Sequence, residues 1–409
     1  MAKKYETRFF EYFVVWAMIM CSGTVVFNIK YNSEFIPLFA VLSVFLCIRK
    51  YGIRIRAVNI KHFIVLLAII LTNCCAHIFS GMAWNGIIQI LLYIVGTWMV
   101  LSAMDLERYR SVYINIVVVM ALISILVLFA GDFNLIPTEQ KNINGKFYLI
   151  SLLHVVGWDT TRFSRICGLF HEPGMYQIIL NTAILFCGNR LLTKVDNITI
   201  IQTLILTGTL FLTQSTSGYI AFAVIVFAVW WKIKDIKMKK QWRFFYLLSF
   251  PMLCAALLKI LTSNTIINKF STKNISFRIR SNDLLSGIKV ICSRPILGYG
   301  YSSESYLKGI SAFGIEDMSN GMIGFAIMFG VLALTIVLSC LLVNVKKQHW
   351  NINSNFVVLF YLIEASVESW IFFPVSLAMI FWREDKIGKA DRGKQRIFFT
   401  KGSQRRLHC

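Results

Sequence analysis

The sequence predicts an all-α polytopic integral membrane protein of about twelve transmembrane helices with two long external loops, and three observations lead there. Of its 409 residues, 57% are hydrophobic and only 15% are charged, and the mean hydropathy is +0.65. Apolar runs long enough to cross about 30 Å of hydrocarbon recur along the whole chain, so its length goes into spans rather than soluble domains. Lysines and arginines gather in short segments between those runs, as in loops retained on the cytoplasmic side. The formal net charge of +22 would also suit a nucleic-acid partner. Basic residues confined to short loops are explained by membrane orientation instead, and no nucleic acid is expected.

Taken in order, residues 1–130 hold the first five spans. Phe9 to Ile29 comes after a charged start, and no Ala-x-Ala-like cleavage site follows it, so it reads as a retained span. Phe35 to Ile48 completes a pair, and the basic loop with Arg49, Lys50, Arg54, Arg56 and Lys61 belongs inside. His62 to Ser80 and Trp84 to Leu101 form the next pair, and a turn with Arg108 and Arg110 leads into Val112 to Ala130. Residues 131–171 are the first external loop, where Leu149 to Val156 reads as a short amphipathic element along the interface. Residues 172–261 carry four spans: Met175 to Leu192, Ile198 to Leu212, Gly218 to Trp231 and Phe244 to Leu261, with the strongly basic turn Lys232 to Arg243 inside. Residues 262–319 are the second external loop, in which Leu284 to Cys292 has helical spacing and Pro295 stops the helix. This loop is basic although external, and an anionic ligand would account for that. Residues 320–382 hold Gly321 to Val343 and the stretch Phe356 to Trp382, long for one span and short for two. Two short or partly re-entrant helices meeting near Glu368 keep the basic tail, residues 383–409, on the cytoplasmic side with the N-terminus.

The ten cysteines are scattered, mostly in apolar runs, and none has metal-ligand spacing. Cys167 and Cys292 fall in or beside the two long loops, where a disulfide is open to them in an oxidising compartment and free thiols are the default. There is no His-Glu-x-x-His, no Gly-x-Ser-x-Gly and no Walker A sequence, so no metal and no cofactor are expected.

The stretch Arg162-Phe-Ser-Arg165-Ile-Cys-Gly-Leu-Phe-His171-Glu172-Pro173-Gly174 stands between a polar loop and an apolar run. Pro173 suits the first turn of a helix, which places Glu172 at the positive end of that helix's dipole. The plainer alternative is a capped helix with arginines at lipid headgroups. Glu364 and Glu368 are four residues apart, on one face if their helix is continuous, and are functional candidates at membrane depth unless Glu368 is solvated at a turn. The second loop offers Arg278, Arg280, Asp283 and Arg294, followed by Gly298-Tyr299-Gly300, with a lid packed across the spans as the alternative.

Together these parts resemble a bacterial Wzy-type O-antigen or capsule repeat-unit polymerase within the O-antigen ligase/polymerase superfamily. The resemblance covers about Arg162 to Val343. It rests on Arg165, Gly168, Phe170, Glu172 and Pro173, then Leu212-Thr-Gln-Ser215-Thr-Ser-Gly218, then Arg280 through Arg294-Pro-Ile-Leu-Gly-Tyr-Gly300, then Ser319-Asn320 with Gly330 beyond. It implies a multi-pass protein of the bacterial inner membrane. Such a protein transfers a growing chain from undecaprenyl diphosphate onto a new lipid-linked oligosaccharide at the outer face, with membrane lipid around it and a chain-length regulator protein as a candidate partner. In that setting Arg162, Arg165, Arg278, Arg280 and Arg294 would hold the diphosphate bidentately, with Arg165 and Arg280 stabilising its departing charge. Glu172 is the first candidate base for the attacking hydroxyl, with His171, Asp283 and Glu368 as secondary candidates. Ligases of the superfamily carry a histidine in the second long loop. No histidine lies between Tyr301 and Gly330 here, which favours a polymerase over a ligase. A secondary transporter or flippase is the alternative from another class, and the two arginine-bearing loops argue against it.

Overall fold

The computed structural model describes residues 2–25, 32–51, 60–133, 135–143, 146–158, 161–162, 165–233, 275–315, 318, 320–348 and 350–381. Within them the chain is mostly helical. The first group is α1 (Ala2–Met20), α2 (Asn32–Tyr51), α3 (Ile60–His77), α4 (Trp84–Ala103) and α5 (Leu106–Asp132). Next come α6 (Pro173–Leu191), α7 (Asn197–Thr213) and α8 (Thr216–Ile233). The last group is α9 (Ile275–Ser293), α10 (Glu304–Ser311), α11 (Gly321–Lys347), α12 (Ser354–Val367) and α13 (Pro374–Phe381). Five described helices, α3, α4, α5, α8 and α11, are long and apolar enough to cross a membrane, and α7 and α12 are shorter apolar helices. Leu71, Leu126 and Leu204 are exposed while Gln177, Asn181, Asn344 and Glu364 are buried. Apolar outside and polar inside is the arrangement a lipid solvent favours. The expected span Phe244 to Leu261 and most of the basic turn before it lie outside the described residues.

Helix α6 is the centre of the bundle. Almost every residue from Pro173 to Asn189 is buried, because α5, α7 and α8 pack around it. On another side α4 packs against α2 and α13, and α11 lies against α9, α12 and α13. All eight residues of α13 are buried. The final apolar stretch is two short helices meeting near Glu368, as expected from its awkward length. Glu368 has φ −136 and ψ 153 and ends α12. The helix does not continue through Glu368, so the condition under which Glu364 and Glu368 would share a face is not met.

The first loop departs from an all-α fold. Strands β1 (Glu139–Ile143), β2 (Lys146–Ser151), β3 (His154–Trp158) and β4 (Thr161–Arg162) form an antiparallel meander in the order β1-β2-β3-β4. The interfacial element expected over Leu149 to Val156 is a β2–β3 hairpin, with Ser151 opposite His154 across Leu152 and Leu153. Period-2 burial explains it: Tyr148 and Ile150 point inward with Val155, onto Val25 and Cys167. Both thiols in question are free, Cys167 buried beneath the sheet and Cys292 exposed on α9.

Helix α11 is broken at Gly330, whose φ of 88° and ψ of 159° are not helical. The segment after α9 fills the break. The carbonyls of Ile327 and Met328 accept from the Tyr299 and Gly300 N–H groups at 2.8 and 3.0 Å, and Val331 N–H donates to the Pro295 carbonyl at 2.7 Å. Asn73 of α3 donates to the same Met328 carbonyl at 2.9 Å and accepts from Tyr301 N–H at 3.2 Å. Polar backbone within a membrane protein must be satisfied internally, and this exchange satisfies it. A Cβ on Gly330 would collide with the Ile296 carbonyl, so the residue must be glycine both for its φ and for its space.

Candidate functional site

The segment leading into α6 is stitched in place on three sides. Val25 N–H donates to the Leu169 carbonyl at 3.0 Å, Val155 N–H to Gly168 at 2.9 Å, and Ile166 N–H to Leu212 at 3.0 Å. Three elements distant in sequence, the ends of α1 and α7 and strand β3, thereby fix where Arg165, His171 and Glu172 stand. Pro173 opens α6 as expected, and Glu172 is its N-cap residue, although its side chain makes no cap hydrogen bond. His171 Nε2 lies 3.4 Å from Glu172 Oε1, and His171 Nδ1 lies 3.3 Å from the Gly23 carbonyl oxygen. Both side chains are about a third exposed, at 33% and 30%, so the pair is reachable from outside the bundle.

Glu368 arrives at the same place from α12. Its carboxylate stands against Gly174, where any Cβ would collide with it, and the Glu172 carboxyl carbon lies 3.9 Å from that same point. Gly174 is thus the spacer that lets two carboxylates, 196 positions apart in the chain, share the start of α6. Helix α11 begins here too. Asn320 caps it by accepting from Ile323 N–H at 3.1 Å, and Gly321 packs directly on the Glu368 carbonyl. Two helix N-termini therefore bring partial positive charge to one acidic pair.

The groups around these charges respond to them. Burial pushes the Cys167 thiol up to about 12, the Arg165 charge opposing and the Glu172 charge adding to the shift, so Cys167 sits within reach of both. Burial also raises the Tyr148 phenol on β2, and the Glu172 carboxylate adds to it. The sheet accordingly lies over the entrance to α6. On the same hairpin His154 is buried with Nδ1 2.8 Å from the Leu152 carbonyl. Desolvation lowers its pKa against the opposing pull of that hydrogen bond.

One turn inward, Glu364 is fully buried. Gln177 donates to its Oε2 at 2.7 Å, and Asn181 donates to its Oε1 at 3.3 Å, to Gln177 Oε1 at 2.8 Å and to the Gly218 carbonyl at 3.1 Å. A carboxyl group buried without partners would cost several kcal/mol, on the order of 3–5, so the two amides are what hold it. They also tie α6 and α12 to the Ser215–Gly218 turn that starts α8, where Ser215 Oγ accepts from Gly218 N–H at 3.4 Å. Gln177 and Asn181 were not singled out in the sequence. Two amides spaced i, i+4 in an otherwise apolar helix were the available signal.

Helix α9 runs beside α11 in the same direction, since Gly287 stands against Ile323 and Met318 while Val290 packs with Ile327. The first two turns of α9, which carry Arg278 and Arg280, therefore lie at the end of the bundle where α11 begins. Asp283 is buried on the α9 face, at 3% exposure. The side chains of Arg162, Arg278 and Arg280 lie outside the described residues. Arg162 occupies β4, its backbone paired with Gly157. Arg294 is not brought to this centre. It stands about 21 Å along the helix from Arg280 at 1.5 Å per residue, is exposed, and stacks on Tyr299 at 4.7 Å. The Gly298-Tyr299-Gly300 segment fills the break in α11, a packing role. Among the described residues there is no group of three or more His, Cys, Asp or Glu side chains placed to hold a metal ion.

No curated protein and no solved structure matches the chain. Residues 201–338 match the family model described as O-antigen ligase. The matched part is about a third of the chain and runs from α7 to α11. It includes Arg278, Arg280, Asp283 and Arg294 but not Arg165, Glu172 or Glu368. Over that third of its length the chain is similar to the O-antigen ligase family.

Proposed function

We propose that the protein is a polymerase of oligosaccharide repeat units carried on a polyprenyl diphosphate, working at the outer face of a bacterial inner membrane. The observation that carries the reading is the meeting of Glu172 and Glu368 across Gly174, near Arg165 and at the end of the bundle where α9, whose first turns include positions 278 and 280, begins. In the reaction the acceptor hydroxyl attacks the anomeric carbon of the chain on the carrier. Glu172 accepts the hydroxyl proton, and the bond to the diphosphate breaks with its electron pair leaving on the phosphate oxygen. Arg165 and Arg280 stabilise the charge that builds there, since a guanidinium fork matches two phosphate oxygens at once. Glu368 is the second carboxylate, placed to exchange the proton with Glu172 or to orient the acceptor. The buried Glu364 cluster is too deep to touch the sugar and sets the relative positions of α6, α8 and α12.

A ligase is the second reading, because the family model that matches is described as O-antigen ligase. Deletion of the gene separates the two. A cell without its polymerase still ligates, so its surface glycolipid carries single repeat units. A cell without its ligase accumulates long polymer on the carrier and shows bare core. In a capsule producer, loss of the polymerase leaves single units on the carrier. Long carrier-linked chains in the deletion strain would overturn the polymerase reading.

A further inference from the structure

At the end of the bundle opposite Glu172 lies a cavity of about 360 Å³, between the first turns of α5 and the last turn of α6. Arg108, Arg110 and Arg190 line it together with Ser111 and Asn189, and Glu107 is the one acid among its lining residues. It is separate from the centre described above. Helix α6 carries Glu172 at one end and Arg190 at the other, about 27 Å apart at 1.5 Å per residue.

The arginines are held in place rather than waving in solvent. Arg110 is 5% exposed, and its guanidinium stacks 4.1 Å above the Trp350 ring and 5.6 Å from Phe186. Arg108 is oriented by Glu11, with Nε donating to Oε2 at 2.7 Å. Its Nη2 is nevertheless buried with no hydrogen-bond partner. Arg190 lies 3.5 Å from Asp196. Glu11 and Asp196 each neutralise one of these cations, yet the lining itself holds three guanidinium groups and one carboxylate, and the buried, unused donor of Arg108 there calls for an oxyanion acceptor. The same end of the bundle carries Arg49 and Lys50 at the close of α2, Lys232 at the close of α8, and Lys346 and Lys347 at the close of α11. That is the level of anionic lipid headgroups on the side where basic loops are retained.

We propose that this cavity is a phosphate-binding site, taking either the headgroup of an anionic phospholipid or free phosphate, distant from and independent of the glycosyl-transfer centre. Planar guanidinium forks at Arg108 and Arg110, with the Ser111 hydroxyl beside them, suit a tetrahedral oxyanion.

The test uses the purified full-length protein. Native mass spectrometry compares retention of phosphatidylglycerol with phosphatidylcholine, and thermal unfolding is followed with inorganic phosphate against chloride at equal ionic strength. Two variants enter: Arg110→Gln, and Ser111→Asp, which puts an acid into the cavity without touching the stack on Trp350. The control is Lys346→Gln with Lys347→Gln. The expected result is one tightly held phosphatidylglycerol per chain, weakened about tenfold or more in either cavity variant, as loss of one charged hydrogen bond implies, and unchanged in the control. Stabilisation by inorganic phosphate without preference for phosphatidylglycerol, lost in the same variants, would identify free phosphate as the ligand of the same site. Equal retention of both lipids with no phosphate effect overturns the proposal, as does binding that survives in the cavity variants. Should Arg110→Gln not fold, Ser111→Asp decides. Polymer formation is not a readout here, so this result is independent of the polymerase reading.

Discussion

The missing side chain of Gly174 is what allows Glu172 and Glu368 to meet. Gly174→Ala should lower stability by about 1–3 kcal/mol, the usual effect of forcing extra volume into a packed site. It should also abolish polymer formation, since Glu368 must move. The two effects separate in the double variant. Gly174→Ala with Glu368→Ala should recover most of the lost stability, a non-additivity expected of groups in contact, without recovering activity. Purely additive melting temperatures would contradict the contact. Arg165 and Arg280 make a second residue-scale prediction. If they clamp a diphosphate, Arg165→Lys and Arg280→Lys should each abolish polymer formation at normal protein abundance, because lysine keeps the charge and loses the fork. A headgroup anchor would tolerate lysine, and full-length polymer from both variants would dispose of the clamp. His171 and Pro173 were legible as a helix-start pattern. That Glu368 would be their neighbour was not, because nothing local links two residues so far apart in the chain.

Among the elements, the break in α11 gives the sharpest contrast. Gly330→Ala would force φ near 88° on an L residue and drive its Cβ into the backbone of Ile296, which cannot rotate away. Gly208 on α7 has nothing within 4 Å of its Cβ position. Gly208→Ala should therefore leave abundance and melting temperature unchanged or raise stability by up to about 1 kcal/mol. Gly330→Ala should yield little or no folded protein, as read from membrane abundance and from thermal unfolding in detergent. Similar behaviour of the two variants would mean that the Pro295–Gly300 segment does not fill the break. The β-sheet of the first loop is where sequence reasoning failed. Its signals were present: alternation through Tyr148 and Ile150, and an Asn-Gly pair at positions 144 and 145, the strongest short hairpin signal, between what are now β1 and β2. Read from the sequence, Leu149 to Val156 is instead an amphipathic element along the interface. A loop outside the bilayer is free to form strands.

For the whole molecule, the basic residues divide the bundle into two ends. Arg49, Lys50, Lys232, Lys346 and Lys347 close helices at one end, while the sheet, α10 and the Glu172–Glu368 pair occupy the other. The topology we propose, from the positive-inside rule, has the sheet and the second loop facing outside. Reporter fusions at Lys141 and Lys308, both on the surface with 44% and 81% of the side chain exposed, should be active with a periplasmic reporter and silent with a cytoplasmic one. The reverse pattern would invert the orientation and remove the proposed glycosyl-transfer centre from the outer face.

By itself the sequence determined the solvent. Apolar length, helical turning points, the short helix pair around Glu368 and the helix before Pro295 follow from composition and spacing within some twenty residues, which is the range over which hydropathy and helical period act. Only the tertiary structure decided which polar groups meet. Gln177 and Asn181 reach Glu364 across two helices. Tyr299 and Gly300 supply the hydrogen bonds that α11 gives up at Gly330. Glu172 finds Glu368 through a glycine. Each of these pairings is set by helix packing rather than by local preference. Inside an apolar bundle a polar group that misses its partner is costly, so packing alone determines where the chemistry gathers.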